Sequence, residues 1–338
     1  TATVDQAIRL FEAGCEMIRI TAPGVKEAKN LAVIKSELVN KGYSFPLIAD
    51  IHYSPKAAEM AASIVEKVRI NPGNYTDRNR GKIIFTQQEY STSLVRIREN
   101  LTPLIVICKQ HGTALRIGSN HGSLSDRIID RYGDTPEGMA ESALEFARIC
   151  RDLDFRDIVF SMKASNTRIM VYATRLLVKK MMDENMNFPV HLGVTEAGDG
   201  KEGRIKSAVG IGALLSEGIG DTIRVSLTED PVNEIPVARK IVDYIHQEKS
   251  EFTSEIFEQY FYPPFEYAPR IAEWGIGEKS KKSPVVIGLP GKYQDQKPDL
   301  TSGAKTTGHW QIAKTIGDIV PDIRNPILFQ SSSSKALQ

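Results

Sequence analysis

Seven short apolar segments, each followed by a longer segment of helical periodicity, run through residues 1–247. The strand-like segments are 17–21, 45–51, 67–71, 114–117, 157–163, 189–195 and 222–226. Strands that alternate with helices run parallel and are joined by helical crossovers. An open doubly wound sheet and a (β/α)₈ barrel both fit that pattern. Polar residues follow every strand, which favours the barrel, because its strand ends share one rim. An open sheet needs them only near its switch point. The chain opens on helical periodicity (1–16), so seven strands leave the barrel one short. The expectation is an α/β fold, a TIM (β/α)₈ barrel whose first strand lies upstream of Thr1, or whose wall has a gap there.

The strand ends carry a repeated phrase. Ile18-Arg19-Ile20-Thr21, Val68-Arg69-Ile70-Asn71 and Ile223-Arg224-Val225-Ser226 each read apolar, Arg, β-branched, small polar, and Leu115-Arg116-Ile117 leads into the glycine-rich stretch 118–123. A guanidinium cannot be neutralised and is costly to bury alone. One such strand is compatible with a private ion pair; four point to an anionic ligand gripped by several strands. The formal net charge of +1 excludes a global basic field for nucleic acid or a membrane surface. The arginines act by placement.

Around the expected rim the sequence offers Arg19, Asp50 with His52, Arg69 with Asn71, Arg116 with Asn120 and His121, Lys163 with Ser165, Glu196, and Arg224 with Ser226. Guanidinium forks match phosphate oxygens in pairs, so a diphosphate is the expected guest. Asp50 and Glu196 are candidates either for anchoring the arginines or for exchanging a proton with substrate; Glu196, where the chain leaves its strand, is the better candidate. Gly198-Asp199-Gly200-Lys201-Glu202-Gly203 matches G-x-G-x-x-G, but the following strand ends in Arg224 and Ser226 rather than an acid, so a dinucleotide fold is rejected. A helix starting there still offers N–H groups to a phosphate. His191 lies early in its strand and reads as structural, and no third residue gives His52 or His121 metal spacing. Cys15, Cys108 and Cys150 fall in helical patterns without C-x-x-C, which suggests neither a disulfide framework nor a metal site.

After about residue 250 the composition changes. Residues 252–270 are aromatic and proline-rich, 284–289 reads as a short strand, 312–319 as a helix, 327–329 as a strand and 331–334 as a frayed tail. The expected division is a substrate-binding barrel over 1–250 and, over 251–338, a linker with the start of a second α/β domain.

In combination and in order, IRIT, LIADIHYS, KVRINPGN, ALRIGSNHGSLSDRI, FSMKAS, HLGVTEAGDG and DTIRVSLTEDP resemble the 4-hydroxy-3-methylbut-2-enyl diphosphate synthase family of the methylerythritol phosphate route to isoprenoids. The likeness covers roughly residues 1–250, and FYPPFEYAPR with PVVIGL resembles the start of the insertion domain of the family's long form. The resemblance implies a TIM barrel that binds 2-C-methyl-D-erythritol 2,4-cyclodiphosphate, and reductive ring opening with loss of water. It also implies a [4Fe–4S] cluster on a further C-terminal domain, a ferredoxin or flavodoxin as electron donor, and a cytoplasmic location; it leaves a homodimer open. By motif, Arg19, Arg69, Arg116, Asn120, His121, Lys163, Arg224 and Ser226 would hold the diphosphate. Asp50 and Glu196 would face the hydroxyl groups that are lost or protonated. With no cluster-ligand cysteines in this sequence, the expectation is a chain that binds substrate without turning it over. A dihydropteroate synthase-like barrel and a non-catalytic phosphometabolite-binding barrel are the alternatives.

Overall fold

The computed structural model describes residues 1–75, 84–247, 287–288, 300–301, 311–313 and 327–329. The chain divides into two units, Thr1–Phe261 and Tyr262–Gln338. The first unit runs α1 (Ala2–Glu12), β1 (Ile18–Thr21), α2 (Val25–Asn40), β2 (Leu47–Ile51), α3 (Pro55–Ala62), β3 (Lys67–Ile70), α4 (Pro72–Tyr75), α5 (Gln87–His111), β4 (Ala114–Asn120), α6 (Asp126–Tyr132), α7 (Pro136–Asp152), β5 (Ile158–Lys163), α8 (Thr167–Asp183), β6 (His191–Leu192), α9 (Gly200–Ser216) and β7 (Thr222–Ile223). A 3₁₀ turn, Pro231–Asn233, then leads into α10 (Glu234–Gln247).

Helix starts follow from local chemistry. Thr86 and Glu89 form a capping box at α5, and Thr135 accepts from the Gly138 N–H ahead of Pro136 at the first turn of α7, so the freed N–H groups find partners. Apolar residues recur at helical spacing, as in Ala28, Leu31, Ile34 and Leu38 of α2, and this stripe faces the sheet.

β1 to β5 pair in sequence order, all parallel. A bridge between Phe160 and Val190 extends the wall to β6, which pairs with β7. Among the described residues β7 and β1 do not pair, so the expected gap lies between them. The outer layer nevertheless closes: each main helix packs on the next, and α1 meets the turn before α10. Arg9 and Asp230 form an exposed ion pair across this seam at 3.1 Å. The result is a seven-stranded partial TIM barrel inside a complete ring of helices.

Four sequence expectations need correction. Gly118 is not a loop residue but lies inside β4, because β5 pairs with it as far as Asn120. Cys15 lies in the connection after α1, where its thiol donates to the Met17 carbonyl; Gly14, at φ 96°, has already ended the helix. In the second unit, β8 (Ile287–Gly288) pairs with β9 (Leu300–Thr301), and β10 (Gln311–Ala313) with β11 (Ile327–Phe329). Residues 312 and 313 are therefore strand where a helix over 312–319 was expected. Short apolar runs are ambiguous in period, and here pairing with β11 decides. The polar segment 75–81 reads from sequence as a long loop, but Tyr75 ends α4; residues 76–81, the rest of 312–319 and the tail at 331–334 lie outside the described residues.

No described helix is long and apolar enough to cross a membrane.

Behind β4, a buried network ties three helices together. Arg127 of α6 donates to both oxygens of Glu145 on α7, at 2.8 and 2.5 Å, and Tyr90 of α5 donates to the same carboxylate. The neighbouring corner after β3 depends on space. A Cβ on Gly73 would come 1.9 Å from the Ser123 carbonyl oxygen. Gly73→Ala is expected to destabilise the protein by about 1–3 kcal/mol, read as a lower urea midpoint at unchanged m-value. A wild-type midpoint would show that the loop has room.

Candidate anion-binding site

In a parallel pair, residues in register share a face, and successive residues alternate between faces. Thr21, Asp50, Arg69, Arg116 and Val159 form one register row across β1 to β5. Asn120 and Lys163 pair at the ends of β4 and β5. The even spacing of Arg19 from Thr21, of Arg116 from Gly118 and Asn120, and of Ser161 from Lys163 puts all of them on the same face. The opposite face is apolar but for Ser119, with Ile18, Leu47, Ala49, Ile51, Val68, Ile70, Leu115, Ile117, Ile158, Phe160 and Met162 all buried. The strands therefore give their apolar face to the helices and their charged face to the barrel interior.

Asp50 sits at the centre of the charged face. One carboxylate oxygen accepts from Arg69 at 3.0 Å, and the other lies 2.9 Å from Arg19 and 3.5 Å from His52. Burial opposes ionisation of this carboxyl, but His52, Arg69 and Arg19 outweigh it and hold the group well below the usual carboxylate range. Asp50 is thus the counter-ion of two arginines. Arg69 also donates to the Gly118 carbonyl at 3.0 Å and to the Asn120 side-chain oxygen at 3.4 Å.

Arg116 and Lys163 are buried and pair with no carboxylate among the described residues. Burial, followed by the charges of Arg69 and Arg19, pushes Arg116 down to about 9; it still carries its charge at neutral pH. Burial and Arg224 push Arg19 down to about 10. Each of these cations feels the others, so the four guanidiniums and the amine converge on one volume. Arg224 follows β7, with its Nε 3.5 Å from Glu234 of α10. Glu234 is itself buried and accepts from the Leu227 N–H at 3.0 Å. Five cations thus face two carboxylates.

Space is arranged as tightly as charge. A Cβ on Gly118 would lie 2.7 Å from the Nε of Arg69, and one on Gly193 would lie 3.2 Å from the Lys163 amine and 2.8 Å from the Arg224 carbonyl. A cavity of about 530 Å³ runs along the seam between β1 and β7, lined by Arg19, Arg116, Arg224, Lys67 and His191. His191 accepts from or donates to Thr222 through Nδ1 at 2.9 Å, and its Nε2 has no partner.

Residues 1–239 match the family described as the GcpE TIM-barrel domain. The chain belongs to this family. It is 56% identical over 288 residues to the 4-hydroxy-3-methylbut-2-en-1-yl diphosphate synthase (flavodoxin) of Parabacteroides distasonis, covering 85% of this chain and 47% of that protein. To the Bacteroides fragilis (strain YCH46) protein of the same name it is 61% identical over 246 residues, 72% of this chain and 39% of that protein. To the one from Leptospira interrogans it is 52% identical over 266 residues, 78% of this chain and 40% of that protein. The chain spans less than half the length of these relatives.

Around the rim of this GcpE barrel the remaining candidates separate. Asn120 joins the interior through Arg69, and Ser226 is half-buried in the segment leaving β7. His121 turns toward Asp134 at 3.7 Å, and Asp134 also accepts from the Gly122 N–H; together they fasten the loop after β4. Glu196 is exposed and sits at φ 50°. A left-handed backbone at a non-glycine residue costs energy and persists where the surroundings impose it. The start of α9 is already occupied: Glu229 accepts from the Gly200 N–H at 3.1 Å and pairs with Arg204. The phosphate expected at that helix start is replaced by the chain's own carboxylate.

Sequence reading missed Gly118, Gly193, Ser161 and Glu234. Period-2 counting from Arg116 or Lys163 finds the first and third of these; Gly193 and Glu234 depend on tertiary packing.

Asp50→Asn leaves the buried Arg69 and the partly buried Arg19 without their shared counter-ion and is expected to cost about 3 kcal/mol. The folded-state value of Asp50 is depressed, so its contribution is complete above about pH 4 and is lost as pH falls below that. In Asp50→Asn this part of the acid slope of the thermal midpoint should vanish. An unchanged slope would place the acid sensitivity elsewhere.

Proposed function

We propose that this chain is the substrate-binding barrel of a 4-hydroxy-3-methylbut-2-enyl diphosphate synthase and that it grips 2-C-methyl-D-erythritol 2,4-cyclodiphosphate. The observation that carries the reading is the buried excess of basic groups: among the described residues Arg116 and Lys163 pair with no carboxylate, while Arg19, Arg69 and Arg224 lie in range. An anion with two phosphate groups relieves that repulsion through charge-assisted hydrogen bonds. The names of the relatives carry a diphosphate product and flavodoxin, which supports this reading; flavodoxin, or a ferredoxin in its place, would then be the electron donor.

In this reading Arg19, Arg69, Arg116, Asn120, Lys163, Arg224 and Ser226 hold the diphosphate, with His121 at its edge. Asp50 keeps Arg19 and Arg69 aimed inward and stays ionised. That makes Glu196, exposed at the rim, the group that exchanges a proton with a substrate hydroxyl. The overall reaction takes up two electrons and two protons, breaks a ring C–O bond and releases water. Residues 1–250 form the binding barrel, and 251–338 a linker and the start of an insertion domain.

The family's [4Fe–4S] cluster would supply the electrons. The cysteines of this chain do not fit it. Cys108 and Cys150 are buried inside α5 and α7, with burial pushing both thiols up to about 12. Among the described residues no group of His, Cys, Asp and Glu could hold a metal. Binding without turnover is therefore expected of this chain.

Isothermal titration with the cyclodiphosphate, beside an assay with an artificial reductant, tests the reading. Saturable binding without product is expected. Arg116→Met should weaken binding by about tenfold to a hundredfold, the worth of one charged hydrogen bond. Absence of binding would overturn the assignment.

A further inference from the structure

Lys163 differs from the other cations in one chemical respect. A guanidinium keeps its proton under all ordinary conditions, whereas an amine can release it. Its position makes release favourable. The side chain is 7% exposed at the end of β5, and its tip lies over the backbone of β6 at Gly193. Arg116 faces it from β4, Arg69 from β3, Arg19 from β1 and Arg224 from the end of β7. His191 of β6 is its uncharged neighbour: burial above all keeps that imidazole well below its ordinary value.

The nearby acids are committed elsewhere. Asp50 on β2 serves Arg19, Arg69 and His52. Glu234 on α10 serves Arg224 and the Leu227 N–H. Glu196, past the end of β6, is exposed and pairs with no described cation. Neither buried carboxylate is within ion-pair distance of Lys163.

We propose that Lys163 stands as an uncharged amine in the empty barrel and takes up a proton when a doubly charged anion enters, so that ligand and proton bind together. The proposal rests on the anion-binding reading above and extends it to the charge state of one atom. Burial, reinforced by the four arginines, holds the amine well below the ordinary lysine value, and the negative charge of a bound anion reverses the sign of its surroundings. Affinity for the anion must then fall as pH rises, approaching about tenfold per pH unit for one linked proton.

The test is isothermal titration of the full chain at about pH 7 with sulfate and with the cyclodiphosphate. Neither anion titrates in that range. Each titration is repeated in two buffers of different ionisation heat. The slope of observed heat against buffer heat should show uptake of about one proton per anion. Lys163→Arg, which keeps the charge but cannot release the proton, should bind without uptake; Lys163→Met should also show none. His191→Gln should retain it. Binding without proton uptake in the wild type overturns the proposal and leaves the anion site standing. Uptake that survives in Lys163→Arg, or disappears only in His191→Gln, also overturns it. If neither anion gives heat, the anion-binding reading fails and the proton coupling fails with it.

Discussion

Asp50 places one carboxylate between two guanidiniums that belong to different strands. Without it Arg19, Arg69 and Arg116 would meet across the interior as like charges. A single buried charge left without a partner costs several kcal/mol. The bridge turns the row into an alternation of Arg19, Asp50 and Arg69 and fixes the inner faces of β1, β2 and β3 side by side. What it leaves unbalanced is all of one sign: Arg116 and part of Arg224, which Lys163 joins whenever it is protonated. A single acid thus stabilises the folded barrel and still leaves it attractive to an anion.

The strands can bear this because their two faces do different work. Apart from Ser119, the buried residues on the outward face are apolar, and full burial of one such large side chain contributes about 1.5–3 kcal/mol. Period-2 alternation separates that contribution from the charged face residue by residue. An anion bound there would favour the folded state by mass action and offset the repulsion that weakens the empty barrel.

Much of this could be read from the sequence. The strand–helix alternation and the proline-led start of α7 depend on local chemistry, and both the barrel class and these elements followed from them. The arginine phrase worked for the same reason: alternating apolar residues reveal which side of a strand an intervening cation must take. What stayed hidden was pairwise and distant. Nothing near Gly200 in sequence shows that Glu229 fills the start of α9, or that Glu234 reaches Arg224 from the next helix. That Asp50 lies beside Arg69 was not visible before the register was known. Residues 312 and 313 were misread because so short an apolar run carries too little period to separate a turn of helix from a strand.

The two interior glycines explain why charge placement alone is not enough. Glycine within a strand costs roughly 0.5–1 kcal/mol relative to alanine, and Gly118 shows no positive φ that would require it. The vacant side-chain volume is instead filled by a neighbour. The Arg69 guanidinium lies over Gly118 and donates to its carbonyl, and the Lys163 amine lies over Gly193. Each long side chain is thereby laid across the adjacent strand and held there before any ligand arrives. Flexible cations on an open surface would have to be ordered by the anion, at about 0.5–1.5 kcal/mol each. Here that ordering is built into the barrel wall, and the space left by a missing Cβ becomes part of the binding energy.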